Sequence, residues 1–389
     1  MKPIKLAFIT DGDAKDVHRW SGIITNIANA LEKQKEIEIY YIENLGYKRN
    51  FFLLVLGKIF SIILKIFGKK YFYGWTINIA KKYAKVLEKK LPEDIDVIFA
   101  TSGCTAATAL GFIQSKCKKI FYCDTTLIDL FNYYPNFDNV YSKSLKEIYN
   151  IEKKKFDNGD LFLFASDWAA NNAINTFNVN PQKIKIVPFG ANIETEYHLT
   201  EIRNIVKNRS TDKCKLLFVG LDWKRKGGDI TFEIAKELHL QNINVHLDIV
   251  GIKDIPITLP DYVTNHGFIS KKTEEGRNIL TKLYEEAHFF ILPTQQECFG
   301  VVYAEASSFA VPSLATKTGG VTTAVKDNIN GMTFDLNDTP KKYAEYIKTL
   351  FNNKEEYEKL CLSAFNDYET RLNWDVAAKE IIAAIREIL

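Results

Sequence analysis

Short apolar runs alternate with helix-patterned stretches along this chain, and the alternation runs through twice. The first set of strands falls at Lys5–Ile9, Ile37–Ile42, Val97–Ala100, Lys119–Cys123, Leu161–Ala165 and Lys185–Val187. Helical patterns lie between them, for example at Ser21–Lys33, Thr76–Lys90 and Asp167–Phe177. The second set is Lys215–Gly220, Val245–Gly251, Phe289–Leu292 and Val311–Ala315. Such alternation is the signature of parallel α/β sheets, and two Rossmann-like halves are its simplest arrangement. The break lies around Pro188–Asp212, where Pro188-Phe189-Gly190 ends the sixth strand and a polar, charged stretch follows. A last amphipathic helical pattern, Trp374–Leu389, lies beyond the second set.

A chain of 389 residues has room for two cores, and 46% hydrophobic with 25% charged residues describes a globular protein, not a disordered one. Cys104, Cys117, Cys123, Cys214, Cys298 and Cys361 form no C-x-x-C pair and no cluster with histidine at zinc spacing. They read as reduced thiols of a cytoplasmic protein. The five-residue apolar run near the N-terminus is too short for a signal-peptide core. Charge is uneven: residues 1–190 carry 27 Lys/Arg against 19 Asp/Glu, net +8, and residues 191–389 carry 24 against 29, net −5. Within the first half, residues 47–90 hold eleven basic residues and one acid, Glu88. Such a stretch points to an anionic surface, lipid or nucleic acid.

The segment PTQQECFGVVYAEASSFAVP, Pro293–Pro312, places Glu297 and Glu305 eight apart, with Phe299-Gly300 between them, directly after a buried strand. In open α/β sheets ligands bind at the carboxyl ends of strands, where this loop must sit. A helix beginning near Gly300 aims the amides of Phe299, Gly300, Val301 and Val302 out of the sheet, a setting for phosphate or sugar hydroxyls. Glu305, within an otherwise apolar helix, can accept two hydrogen bonds from a ribose diol.

In FVGLDWKRKGGD, Phe218–Asp229, a strand ends at Gly220 and Arg225-Lys226-Gly227-Gly228 open a helix. Two cations at a helix N-terminus oppose its dipole, and an anion such as a diphosphate held beside them removes the conflict. The pattern does not fit G-x-x-x-x-G-K-[ST], so it is no P-loop.

Taken together these segments resemble glycosyltransferase family 4 on the GT-B fold. The likeness rests on a Gly-ended strand followed by Arg-Lys-Gly, on E-x-F-G-x-x-x-x-E, and on the Gly-Gly loop of ATKTGGVTTAVKDNINGMTF. It is strong over about 215–335 and weaker before, where Trp20-Ser21-Gly22, ASDWAA (165–170) and PFGAN (188–192) match. The resemblance implies two facing Rossmann-like domains: 1–195 binding the acceptor, 213–370 binding the nucleotide-sugar donor, and a C-terminal helix, 371–389, crossing back to the first. It implies retaining, metal-independent transfer from a UDP- or GDP-sugar, with no other cofactor, to a glycan or lipid-linked glycan in cell-envelope polysaccharide synthesis. Arg225 and Lys226 would neutralise the leaving diphosphate. Glu297, with the backbone of Phe299 and Gly300, would hold the donor sugar, and Glu305 the ribose. Val301, Val302, Ser21, Gly22 and Gly220 would line the donor site, and Phe268–Ile269 would meet the base.

The chain departs from that pattern in three places. Ser21-Gly22 stands where Gly-Gly is usual, and Thr323 stands where a Glu is usual three residues past the later Gly-Gly. CDTT replaces a His after the fourth strand, so Asp124 either orients the sugar or acts as a base, or else caps the following turn. Asp11-Gly12-Asp13 looks like a D-x-D metal motif but ends the first strand, so it reads as a turn. The six histidines show no metal-ligand spacing.

A nucleotide-sugar 2-epimerase would also need a diphosphate site, and a catalytically silent GT-B scaffold would need none. Phe51–Trp75 holds Lys58, Ser61, Lys65 and Lys69 in one polar stripe, with a wide apolar face and aromatic residues at its trailing end. Read as a helix it suits a membrane interface, peripheral on the inner face, or else an insertion packed in the first domain. The stretch contains no recognisable nucleic-acid-binding module.

Overall fold

Six parallel strands form the first sheet: β1 (Ile4–Ile9), β2 (Ile37–Ile42), β3 (Val97–Thr101), β4 (Lys118–Cys123), β5 (Leu161–Phe164) and β6 (Ile184–Ile186), in the order β2-β1-β3-β4-β5-β6. The computed structural model describes residues 2–389 except 17, 18, 44, 46–50, 103, 104, 132, 194 and 196, and of residues 19 and 51–56 the backbone alone. Of the cysteines, histidines and basic residues counted above, His18, Lys48, Arg49 and Cys104 therefore lie outside the described residues. The chain divides into two units, residues 1–187 with 377–389, and residues 188–376.

In the first unit the helices are α1 (Ile23–Glu32), α2 (Phe51–Ile66), α3 (Ile77–Lys90), α4 (Ser142–Asn158) and α5 (Asp167–Phe177). Strands buried on both faces leave no polar alternation, and β3 and β5 are buried throughout. Ile9, Ile98, Phe121, Phe162 and Phe164 of the sheet pack with Leu87 of α3 and Phe177 of α5 in one core. Full burial of side chains of this size contributes about 1.5–3 kcal/mol each.

One expectation is corrected here. The helix read from Ser21 begins at Ile23, because Trp20 and Ser21 have φ of 45° and 56° and Gly22 has φ of 84°. Such left-handed backbone cannot continue a right-handed helix. The aromatic residues trailing α2 are half-buried and pack on one another and on their own unit. Phe72 and Trp75 stack 5.0 Å apart and meet Phe131 and Phe137, while Tyr71 packs edge-on to Phe60 at 5.2 Å.

The second unit repeats the plan with β7 (Cys214–Val219), β8 (Val245–Val250), β9 (Val263–Asn265), β10 (Phe289–Leu292), β11 (Ser313–Thr316) and β12 (Gly331–Phe334), in the order β12-β11-β10-β7-β8-β9, all parallel. Its helices are α6 (Leu199–Asn208), α7 (Gly228–Leu240), α8 (Glu274–Glu286), α9 (Val301–Ser308), α10 (Val321–Ala324), α11 (Pro340–Phe351) and α12 (Lys354–Thr370). The polar stretch after Pro188 holds α6, which buries Ile202 and Val206 at helical spacing. Edge strand β12 escapes the periodicity because it has four residues and one large apolar side chain facing inward, Phe334. The last helix, α13 (Trp374–Ile388), begins in this unit, and its residues from Ala377 onward belong to the first. Within the second unit Trp374 donates from Nε1 to Asn192 Oδ1 at 2.9 Å and lies 5.7 Å from the Phe189 ring, so PFGAN is anchored on it.

Candidate functional site

The loop after β7 is wound into a tight turn by its own residues. The Arg225 amide donates to Asp222 Oδ1 at 3.0 Å, the Lys226 amide to Asp222 O at 2.9 Å, and the Gly228 amide to Trp223 O at 2.7 Å. Gly227 has φ of 75° and caps α7, and a Cβ there would lie 2.1 Å from the Pro293 carbonyl oxygen. Only glycine satisfies both the backbone angle and that approach. Asp229, in the first turn of α7, accepts from Trp223 Nε1 at 2.6 Å and gives the helix end one favourable charge. Gly220 closes β7, its amide donating to Val250 O at 3.0 Å, with the Lys226 stem packed over it.

This turn is bonded to the loop after β10. Arg225 Nη1 donates to Gln296 O at 2.9 Å, while Arg225 O accepts from the Gln295 amide at 2.7 Å and from Thr294 Oγ1 at 3.1 Å. The Lys226 ammonium forms an ion pair with Glu297 Oε2, and Arg225 Nη1 is 3.8 Å from the same oxygen. The charge conflict at the α7 end is thus answered in this structure by a carboxylate of the chain itself. The Glu297 carbonyl also accepts from the Gly320 amide at 3.1 Å, which brings the Gly-Gly loop beside it. Gly300 (φ 86°) turns the chain into α9, whose amide end has no side-chain cap among the described residues. A Cβ at Gly300 would lie 2.5 Å from the Tyr303 ring, and Tyr303 is held by its hydroxyl on Leu292 O at 2.9 Å. Phe299 is buried against Phe189, and Val301 and Val302 are half-buried.

Glu305 is fully buried in α9. One carboxylate oxygen pairs with Lys271 and the other accepts from the Tyr284 hydroxyl at 3.3 Å. Burial, and then the Glu305 carboxylate, hold the Tyr284 phenol well above its usual pKa, so it stays a donor. The Glu305 oxygens therefore already have protein partners. Neither Lys271 nor Tyr284 was a sequence candidate: they lie 34 and 21 residues away, on a loop and on α8, and no spacing rule connects them to α9. Phe268, in the same loop as Lys271, is 68% exposed, and Ile269 is half-buried.

Asp124, Ser21 and Gly22 belong to the first unit. Asp124 directly follows β4 and is half-buried. The turn after it is held by Thr126 Oγ1 donating to Asp129 Oδ2 at 2.5 Å and by the Leu127 amide donating to Glu152 Oε2 at 2.7 Å. Glu152 pairs with Lys155, both buried, and the Lys155 ammonium sits 3.6 Å over the Phe121 ring. Asp11 is engaged across the sheet's loops: its carboxylate accepts from the Thr105 and Ala106 amides at the start of the 3₁₀ segment Thr105–Phe112. Asp13 Oδ1 accepts from the Lys15 amide at 2.8 Å in a turn of its own. Among the described residues no group of three His, Cys, Asp or Glu side chains is placed to hold a metal ion.

The second sheet thus carries two cations after its central strand β7 and an acid–glycine loop after the neighbouring strand β10. Residues 200–366 match the family described as Glycosyl transferases group 1. A relative from Thermobifida fusca, named D-inositol 3-phosphate glycosyltransferase, is 24% identical over 244 residues, covering 59% of this chain and 56% of the relative. The chain thus spans little more than half the length of that relative. Among solved structures, sucrose-phosphate synthase from Thermosynechococcus elongatus superposes with a TM-score of 0.65 at 15% identity over 99% of this chain and 98% of that one. HepE of Anabaena, solved in complex with UDP, superposes with a TM-score of 0.63 at 15% identity over the whole of both chains. The fold is that of the GT-B glycosyltransferases.

Proposed function

We propose that the chain is a glycosyltransferase that moves a sugar from a UDP- or GDP-sugar to a glycan or lipid-linked glycan, with retention and without a metal ion, acting in the cytoplasm in cell-envelope polysaccharide synthesis. The observation that carries this reading is the meeting of Arg225, Lys226 and Glu297 at the carboxyl edge of the second sheet, beside the amide end of α9. In the reaction the bond from the anomeric carbon to the diphosphate oxygen breaks, its electron pair leaving with the diphosphate. The acceptor oxygen bonds to that carbon and passes its proton to an oxygen of the departing diphosphate. Lys226 and Arg225 exchange the Glu297 carboxylate for the diphosphate and neutralise the charge that develops on it. Glu297, released, takes the sugar hydroxyls together with the Phe299 and Gly300 backbone and aligns the reacting carbon. Glu305 holds the ribose once Lys271 turns outward, Phe268 and Ile269 meet the base, and Gly220, Val301 and Val302 line the donor. The solved HepE complexes with UDP and with UDP and glucose support a nucleotide-sugar donor. In the first unit, Ser21, Gly22 and Asp124 remain candidates on their sequence pattern. The left-handed backbone from Trp20 to Gly22 supports a functional loop there.

The test is thermal shift and hydrolysis over a panel of UDP-, GDP- and ADP-sugars, followed by product NMR with a matched acceptor. Stabilisation and turnover of one donor, with the anomeric configuration kept, is the expected result. An epimerised donor formed without acceptor identifies a 2-epimerase instead, and no turnover of any donor identifies a silent scaffold.

A further inference from the structure

Six large apolar side chains stand in solvent within nine residues of α2 and the turn that follows it: Ile59, Phe60, Ile62, Ile63, Ile66 and Phe67. Ile62, Ile66 and Phe67 are 61%, 78% and 73% exposed. Scattered exposed apolar residues are ordinary, but a contiguous group of this kind marks a contact surface. At about 100° per residue, Ile59, Ile62, Ile63 and Ile66 fall within one arc of about 100° on the helix. Lys58 and Lys65 border one edge of that arc, and Lys69 follows in the turn, all three exposed. The opposite side holds Gly57 and Ser61, whose hydroxyl donates to the Gly57 carbonyl at 2.8 Å, and is the side packed on the protein. Tyr73 lies against Gly57, leaving no space for a Cβ there.

We infer that this face of α2 is a docking surface for an anionic lipid bilayer, with the helix lying in the interface plane. The charge beside it selects that occupant: Lys58, Lys65, Lys69 and Lys70 stand exposed on the helix and the turn after it, and residues 57–70 hold no acid. An apolar arc bordered by lysines inserts its side chains below the headgroups and leaves the ammonium groups at phosphate level. Spanning is not the mode, since among the described residues no helix is long and apolar enough to cross a membrane. The inward packing of Phe72 and Trp75 confines insertion to Ile59–Phe67. The inference is independent of the sugar chemistry proposed above, because it is read by binding alone.

The test is co-sedimentation of the full chain with vesicles of phosphatidylcholine containing about one third phosphatidylglycerol, against vesicles of phosphatidylcholine alone. The wild type binds the anionic vesicles and not the neutral ones, and releases as salt shortens the Debye length. Each of Lys58→Gln, Lys65→Gln and Lys69→Gln lowers the partition coefficient about fivefold. Ile62→Ser with Ile66→Ser abolishes binding, and because both side chains are already exposed, circular dichroism and melting stay as in the wild type. A folded wild type that ignores anionic vesicles overturns the proposal. So does binding that survives the two isoleucine changes, or binding to neutral and anionic vesicles alike. A dimer that dissolves in Ile62→Ser/Ile66→Ser, with no vesicle binding, also overturns it and assigns the face to a second copy of the chain.

Discussion

Lys226 and Glu297, 71 residues apart in sequence, form an ion pair that joins the loop after β7 to the loop after β10. Both side chains are largely buried, so neither charge is cheaply left alone. Replacing Glu297 by Ala removes the carboxylate that Lys226 and Arg225 share, and with it the competitor of an incoming diphosphate. The free nucleoside diphosphate then binds at least as tightly as in the wild type by calorimetry, while turnover falls because the sugar loses its alignment. Unchanged turnover with the preferred donor would show that Glu297 has no part in the site.

Arg225→Ala and Lys226→Ala each lower turnover by about 10²–10³, the usual cost of removing a preorganised charge at a leaving group. Initial rates in excess EDTA equal those without it. A rate that requires added Mg²⁺ or Mn²⁺ refutes this assignment of the two cations.

Glu305 separates binding from chemistry. Glu305→Ala raises the Michaelis constant for the donor more than it lowers turnover, since the ribose is remote from the breaking bond. Lys271→Met removes the partner of a fully buried carboxylate and lowers the melting temperature as well. Donor affinity indifferent to both changes would make the Lys271–Glu305 pair purely structural.

His288 predicts an acid-labile fold. Burial first, and then the Arg209 guanidinium, depress its pKa from 6.5 to about 4. Its Nδ1 accepts from the Lys215 amide at 3.0 Å, and its Nε2 lies 2.7 Å from Ser210 O, which assigns the proton to Nε2. Above pH 6.5 the ring is neutral in both states and stability is full. Below it the unfolded chain binds the proton first, so stability falls as pH drops from 6.5 towards 4, by on the order of 3 kcal/mol in all. Urea midpoints at pH 7 and pH 5 measure this, and His288→Gln flattens the difference. An equal pH response in wild type and variant removes His288 as its origin.

Arg209 is buried with its guanidinium spread over the ends of two helices. It donates to Glu285 O at 3.1 Å, Ala310 O at 2.9 Å, Phe309 O at 2.7 Å and the Tyr357 hydroxyl at 2.9 Å. Arg209→Met leaves those acceptors unpaired and costs about 3 kcal/mol or more. Arg209→Lys rescues only in part, because one ammonium cannot reach a fork of acceptors. A thermal melt of both variants decides it.

What the amino-acid sequence determined by itself is the alternation of strands and helices, with β2, β10 and α5 bounded to the residue, because burial on both faces of a strand and one face of a helix writes a local period into the chain. It also placed Arg225, Lys226, Glu297 and Gly300 in loops at strand ends, since glycine and the end of an apolar run mark those turns. Tertiary structure alone decided their partners. Glu297 faces Lys226, Glu305 faces Lys271 and Tyr284, and the aromatics after α2 turn inward on Phe131 and Phe137. These are contacts between residues tens of positions apart, set by how sheets and loops stack in space, and hydrophobic period carries no record of which distant charge a side chain will meet.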